Sequence, residues 1–342
     1  MTRHWAWLAL IAAAVCGCRG PLQARTQSHV TMYSSPVEDR GPLVERVVVP
    51  GGARGEKVAI LDVDGLLLNA PLVGLGSVGE NPVALFREKL DRVAADPCYC
   101  AVVVRIHSPG GGVTATDIMW HDLQQFKART RLPVVACLMD ISTGGAYYLA
   151  TAADHIVAHP TTLTGGMGVI LNLYNLQDTM MQFNILGVPV KAGRHIDLGS
   201  PIAPLDDDAR QILQAIADQY HKRFQEVVRK ARPKHDPSRA EDFDGRVFLA
   251  HEALERGLID TIGYLDDAVA AARELGGSPS AAAVILHRCN DPARTPYAVT
   301  PNMPLHGNLL PLSVPGFDRS QLPTFLYLWQ PEPTLERRAT GR

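Results

Sequence analysis

Between Lys57 and His287, short continuous apolar runs alternate with stretches whose apolar residues recur every three or four positions. The runs Val58–Val63, Ala101–Ile106, Pro133–Met139 and Ala283–His287 predict strands buried on both faces, because a strand with one wet face would alternate apolar and polar residues. Leu85, Phe86, Leu90 and Val93 give Val83–Ala95 helical spacing, and Pro97 ends it. Further helices are predicted from Thr116 to Arg129, from Gly144-Gly145 through Ala153, over Phe248–Arg256 and over Leu265–Leu275. The longest follows Asp206-Asp207-Asp208 and carries Ile212, Leu213, Ile216, Tyr220, Phe224 and Val227 on one face. Acids open that helix and Arg229, Lys230 and Arg232 close it, which suits the helix dipole. Buried strands alternating with helices predict βαβ units, an α/β fold with a sheet covered on both faces.

The pattern also divides the chain. Residues 57–286 read as one α/β domain, preceded by a tether over 19–56 with one short strand at Arg46–Val49. Residues 287–342 form a proline-rich tail, and ten of the 25 prolines lie in 279–342. The apolar run Phe325-Leu326-Tyr327-Leu328-Trp329 suits an extended tail docking on a neighbour or a membrane surface, and a disordered tail is the alternative. At the other end, Arg3 precedes the uncharged stretch Trp5–Val15, too short to span a bilayer as a permanent helix, so residues 1–18 read as an export signal. Val15-Cys16-Gly17-Cys18 resembles a bacterial lipobox and makes Cys18 the candidate for lipidation; a plain cleaved signal or an uncleaved anchor are the alternatives. Each version puts the rest of the chain outside the cytoplasm, at a bacterial cell envelope.

Composition narrows the partners. With 20% charged residues and a net charge of -2, the chain lacks the basic excess that binding nucleic acid requires. Cys98 and Cys100 are too close for a comfortable bridge, Cys137 sits in an apolar run, and no metal-ligand spacing is present. No metal and no cofactor are expected.

Two strand-to-helix junctions are rich in glycine. Ser108-Pro109-Gly110-Gly111-Gly112 follows one strand, and backbone N–H groups there can face an oxyanion unobstructed. Ser142-Thr143-Gly144-Gly145-Ala146-Tyr147-Tyr148 follows the next, at the kind of turn where hydrolases expose a nucleophile.

With Leu149–Asp154, Leu163–Val169 and Gly245–Phe248, these segments resemble the signal peptide peptidase A (SppA) family of serine peptidases. The resemblance runs from about Lys57 to Ala272 and implies a ClpP/crotonase-like fold assembled into rings. It also implies extracytoplasmic cleavage of hydrophobic peptides, such as spent signal peptides, by a Ser–Lys dyad. Here the chain departs from the family. Anchored on Tyr147-Tyr148, the nucleophile position falls on Gly144; in Gly193-Arg194-His195-Ile196 the lysine position falls on Ile196. Glycine has no nucleophile and isoleucine cannot carry a proton, so the resemblance implies a degenerate site. Gly110, Gly111 and Gly145 retain the oxyanion and peptide-binding elements.

That reading predicts binding of hydrophobic peptides, attachment to a membrane through lipid or an N-terminal anchor, and a homo-oligomeric ring or a hetero-oligomer with an active relative. The alternative is an active serine endopeptidase with Thr143 or Ser142 as a shifted nucleophile and His195 or Lys191 as base. An acyl-CoA enzyme, the other chemistry of the fold, conflicts with an exported N-terminus.

Overall fold

A computed structural model describes residues 41–52, 55–71, 80–288, 295–297 and 325–329 of the 342-residue chain. The export signal, Cys18 and most of the tether and tail lie outside these residues. The described elements, in chain order, are β1 (Leu43–Val49), β2 (Lys57–Asp64), α1 (Pro82–Ala94), β3 (Tyr99–Ser108), β4 (Gly110–Gly112), α2 (Val113–Thr130), β5 (Val134–Thr143), α3 (Gly145–Ala150), β6 (His155–Ala158), β7 (Leu163–Gly165), α4 (Gln177–Gln182), α5 (Asp207–Ala231), β8 (Val247–Leu249), α6 (Ala250–Glu255), β9 (Thr261–Ile262), α7 (Leu265–Leu275), β10 (Ala282–Arg288) and β11 (Leu326–Leu328).

The main sheet runs β1-β10-β2-β3-β5-β6-β9. Its interior pairs are parallel, and β1 closes the β10 edge antiparallel. Period-two geometry splits its side chains cleanly. Ala59, Leu61, Val102, Val104, Val134 and Ala136 join the large core that also holds α1, α2 and α3 residues. Val58, Ile60, Ala101, Val103, Val135 and Cys137 face the other way, onto Leu265, Val269 and Ala272 of α7. Both faces are covered, which is why these strands read as unbroken apolar runs.

Three differences from the sequence pattern have local causes. The strand expected near Arg46 is longer and belongs to the sheet, since β10 offers Leu43–Val49 a free edge. Phe248 lies in β8, opposite Thr164, instead of opening a helix, because β7 recruits it as a strand partner. The helix after Gly144 ends at Ala150, one short element instead of a run through Ala153.

Strand β5 is the element that builds the site. Its first half pairs with β6, while its end, Ile141–Thr143, pairs with β7. Against β3 the register slips after Leu138, so that Ser108 faces Ser142. The slip carries the end of β5 over the end of β3 and brings the two glycine junctions together.

Candidate functional site

At the end of β5 the chain turns sharply. Gly144 has φ 55° and ψ -123°, a left-handed conformation that costs an L-residue free energy, and α3 starts at the next residue. The Gly144 amide donates to the carbonyl of Gly165 in β7 at 2.9 Å, which fixes the elbow. On the other junction Gly110 has φ 105°. A β-carbon built on Gly110 would stand 2.7 Å from the Gly145 amide nitrogen, so the two junctions are in direct backbone contact. The structure thus brings Gly110, Gly111, Gly144 and Gly145 into one place.

The fallback hydroxyls are committed elsewhere. Ser142 is fully buried and its Oγ donates to the carbonyl of Ile106 at 2.8 Å. Thr143 is equally buried, with Oγ1 donating to the Pro109 carbonyl at 3.3 Å. The fallback bases sit in a different group. Residues 194–199 form turns. Lys191 Nζ donates to Asp197 at 2.7 Å, His195 pairs with Asp208 at 3.4 Å, and both line a small pocket with Leu205, Asp206 and Ala209. No glycine of the two junctions lines that pocket. Ile196 is 73% exposed.

The cleft itself is filled. Strand β11 lies antiparallel to β4, with Leu326 opposite Gly112, Tyr327 opposite Gly111 and Leu328 opposite Gly110. On its other edge Leu326 exchanges hydrogen bonds with Ile170, N to O at 2.9 Å and O from N at 3.0 Å. The Val113 amide donates to the Phe325 carbonyl and the Trp329 amide to the Pro109 carbonyl, each at 3.2 Å. For residues 325–329 the docking surface is therefore the chain's own cleft, where a neighbour or a membrane was expected, because two unpaired backbone edges face each other across it.

Side chains alternate along β11. Leu326 and Leu328 pack with Leu66, and Leu68 and Ile170 close over them. Tyr327 points the opposite way and is fully buried. Its ring stacks on Tyr148 with centroids 5.4 Å apart and tilts against Phe224 at 4.8 Å. Its hydroxyl donates to the Tyr220 carbonyl at 2.7 Å. Burial pushes the Tyr327 phenol well above its ordinary pKa, so it stays a neutral donor. Behind it, the Tyr148 hydroxyl donates to Asp117 at 2.6 Å, and Arg223 pairs with the same carboxylate at 2.7 Å.

Sequence reasoning singled out the glycines and the Phe325–Trp329 run separately. It missed this aromatic pocket, assembled from α3, α5 and the tail. It also missed Thr116 on α2, whose buried Oγ1 has no hydrogen-bond partner and would stand 2.4 Å from a β-carbon on Gly145.

The other segments that carried the resemblance converge on the same elbow. Gly165 accepts from Gly144, and the Gly166 amide donates to Arg246 at 2.8 Å. Residues 127–278 match peptidase family S49. The matched segment is a peptidase S49 domain, and the chain is similar to the SppA-type peptidases.

Among S49 relatives, the chain is 32% identical over 193 residues to the chloroplastic serine protease SPPA of Arabidopsis thaliana, covering 56% of this chain and 28% of that one. It is 29% identical over 222 residues to protease 4 of Salmonella typhi, covering 65% and 35%. Against protease 4 of Haemophilus influenzae the identity is 25% over 219 residues, covering 64% and 35%. The chain spans about a third of the length of these relatives. Two solved structures of the 1510-N membrane-bound stomatin-specific protease, one in complex with a substrate peptide, align over 62% and 64% of this chain and 82% and 80% of theirs. Each alignment has a TM-score of 0.39 and 15% identity. The fold described above is a mixed α/β architecture built on one large sheet.

Proposed function

We propose that this S49 protein has kept the peptide groove of a serine peptidase without its covalent chemistry, and that it holds hydrophobic peptide segments at the cell envelope. The observation that carries the reading is the elbow at Gly144. It has the strained turn that presents a nucleophile, yet it carries no side chain. Peptide hydrolysis through a covalent intermediate needs both a nucleophile and a base within hydrogen-bond reach of it. Ser142 and Thr143 donate to backbone carbonyls, and His195 and Lys191 face carboxylates. The groove, by contrast, retains paired backbone edges, which recognise any extended peptide by strand addition.

Export with lipidation at Cys18 and assembly into a ring, or with an active relative, belong to the same reading. Among the described residues no helix is long and apolar enough to cross a membrane.

The test is labelling with a fluorophosphonate, which modifies activated serine and threonine hydroxyls. The purified chain is expected to stay unlabelled. Labelling that disappears in Thr143→Ala or Ser142→Ala would identify a working nucleophile and overturn the proposal.

A further inference from the structure

We propose that Phe325–Trp329 is a built-in pseudosubstrate. It occupies the cleft as a resident peptide and excludes others, and it can stay because residue 144 has no side chain. The inference rests on the cleft being a peptide groove that does not cut.

The segment is held as a bound peptide is held. Leu326 is hydrogen-bonded to Ile170 on one edge and lies opposite Gly112 on the other, so the strand has backbone partners on both sides. Flanking bonds from Val113 and to Pro109 fix both ends. Alternate side chains then enter separate pockets, Tyr327 among Tyr148, Phe224 and Tyr220, and Leu326 and Leu328 against Leu66. A strand merely covering an edge needs no such pocket. The chemistry matched is an extended segment with one aromatic residue between two leucines.

The carbonyl of Tyr327 lies where a bond under attack would lie. A β-carbon on Gly144 would stand 2.4 Å from its oxygen and 2.8 Å from its carbon. A β-carbon on Gly110 would stand 2.0 Å from the same oxygen and 2.7 Å from the Gly145 nitrogen. The carbonyl therefore lies against both glycine junctions, over the vacant nucleophile position. Any residue other than glycine at 144 would collide with it. The missing side chain thus does two things at once: it removes the attack on the Tyr327–Leu328 bond and makes room for that bond to remain.

A tethered segment competes at an effective concentration on the order of millimolar, so a free peptide of equal intrinsic affinity is largely shut out. The experiment is a fluorescence-anisotropy titration of a labelled peptide with the sequence of residues 322–331 against the full chain. It uses the wild type and two variants, Leu326→Pro, which loses the N–H bonded to Ile170, and Tyr327→Ala, which empties the aromatic pocket. Amide hydrogen exchange of Leu326 and Trp329 is read on the wild type.

At least tenfold tighter binding by both variants than by the wild type, with both amides protected in the wild type, is the expected result. Equal affinity in all three overturns the resident strand while leaving peptide binding by the cleft intact. Binding by none, with both amides exchanging at the unfolded rate, overturns the strand and the groove together. A second probe, an alanine- and leucine-rich peptide of the export-signal type, separates the two claims. If the variants bind the tail peptide and not this probe, the pseudosubstrate stands and the broader function proposed above falls.

Discussion

Gly144 and Tyr327 define each other: the carbonyl oxygen of Tyr327 lies 2.4 Å from the point where a β-carbon on Gly144 would be. Two residues 183 positions apart in sequence thereby share one space. A glycine at the elbow reads as a lost nucleophile when taken alone. Taken with Tyr327, it is also the condition for a strand of the same chain to lie across the site.

Gly144→Ala is expected to release β11. The new methyl group meets backbone atoms, which cannot give way, and the positive φ adds about 1–2 kcal/mol for an L-residue. Amide exchange should rise across residues 325–329 and stay unchanged in β2 and β3. Unaltered protection at Leu326 would contradict this.

Two substitutions at Tyr327 separate its hydrogen bond from its packing. Tyr327→Phe removes only the donor to the Tyr220 carbonyl and should cost about 1 kcal/mol in denaturant unfolding. Tyr327→Ala removes a fully buried ring and should cost about 3–5 kcal/mol if β11 unfolds with the domain. A much smaller loss, paired with early exchange of 325–329, would show that the strand opens separately.

Beneath the main sheet, Lys89 on α1 reaches Asp62 on β2 at 2.6 Å with both side chains out of solvent. Lys89→Met removes this ammonium from the buried Asp62 carboxylate, on which the Arg105 charge also acts, and should destabilise the fold by about 1–3 kcal/mol. Equilibrium denaturation checks it, and Lys89→Met combined with Asp62→Leu should recover part of the loss.

Acid should weaken the start of the sheet at Asp96. The hydrogen bond from Lys57, and then that from the Cys98 amide, hold this carboxyl at about 2 against an ordinary value of 3.8. A depressed carboxyl contributes stability that is complete above the ordinary value and is lost as pH falls toward 2. The pair is partly exposed, so the contribution is about 1 kcal/mol or less. Thermal melts between pH 5 and 2 should fall less steeply for Asp96→Asn than for the wild type.

Thiol chemistry distinguishes two of the cysteines. Burial in the sheet pushes Cys137 to about 12, which leaves almost no thiolate at neutral pH, whereas Cys98 is exposed. Iodoacetamide should modify Cys98 in the native protein and reach Cys137 only after unfolding, as read by peptide mass spectrometry.

Much of the scaffold was legible because it is written in local periodicity. The short, Val- and Ile-rich apolar runs at Val58–Val63 and Ala101–Ile106 read as strands covered on both faces, and the acid-to-base gradient from Asp206 to Arg232 marked one long helix. Boundaries failed where tertiary pairing overrode local pattern: Phe248 became a strand because β7 lay beside it, and the strand near Arg46 grew because β10 had an open edge.

Local sequence fixes the composition of the site: glycine at 144, isoleucine at 196, paired glycines at 110 and 111, and an apolar tail segment suited to docking as an extended strand. These are covalent facts, fixed before any fold. Tertiary structure alone decided what the vacancy holds. A register slip in β5 brings its end over β3, and this joins the two glycine junctions into a cleft with free backbone edges on either side. Free edges and an aromatic pocket bind whichever extended segment is held near them, and the chain supplies Tyr327.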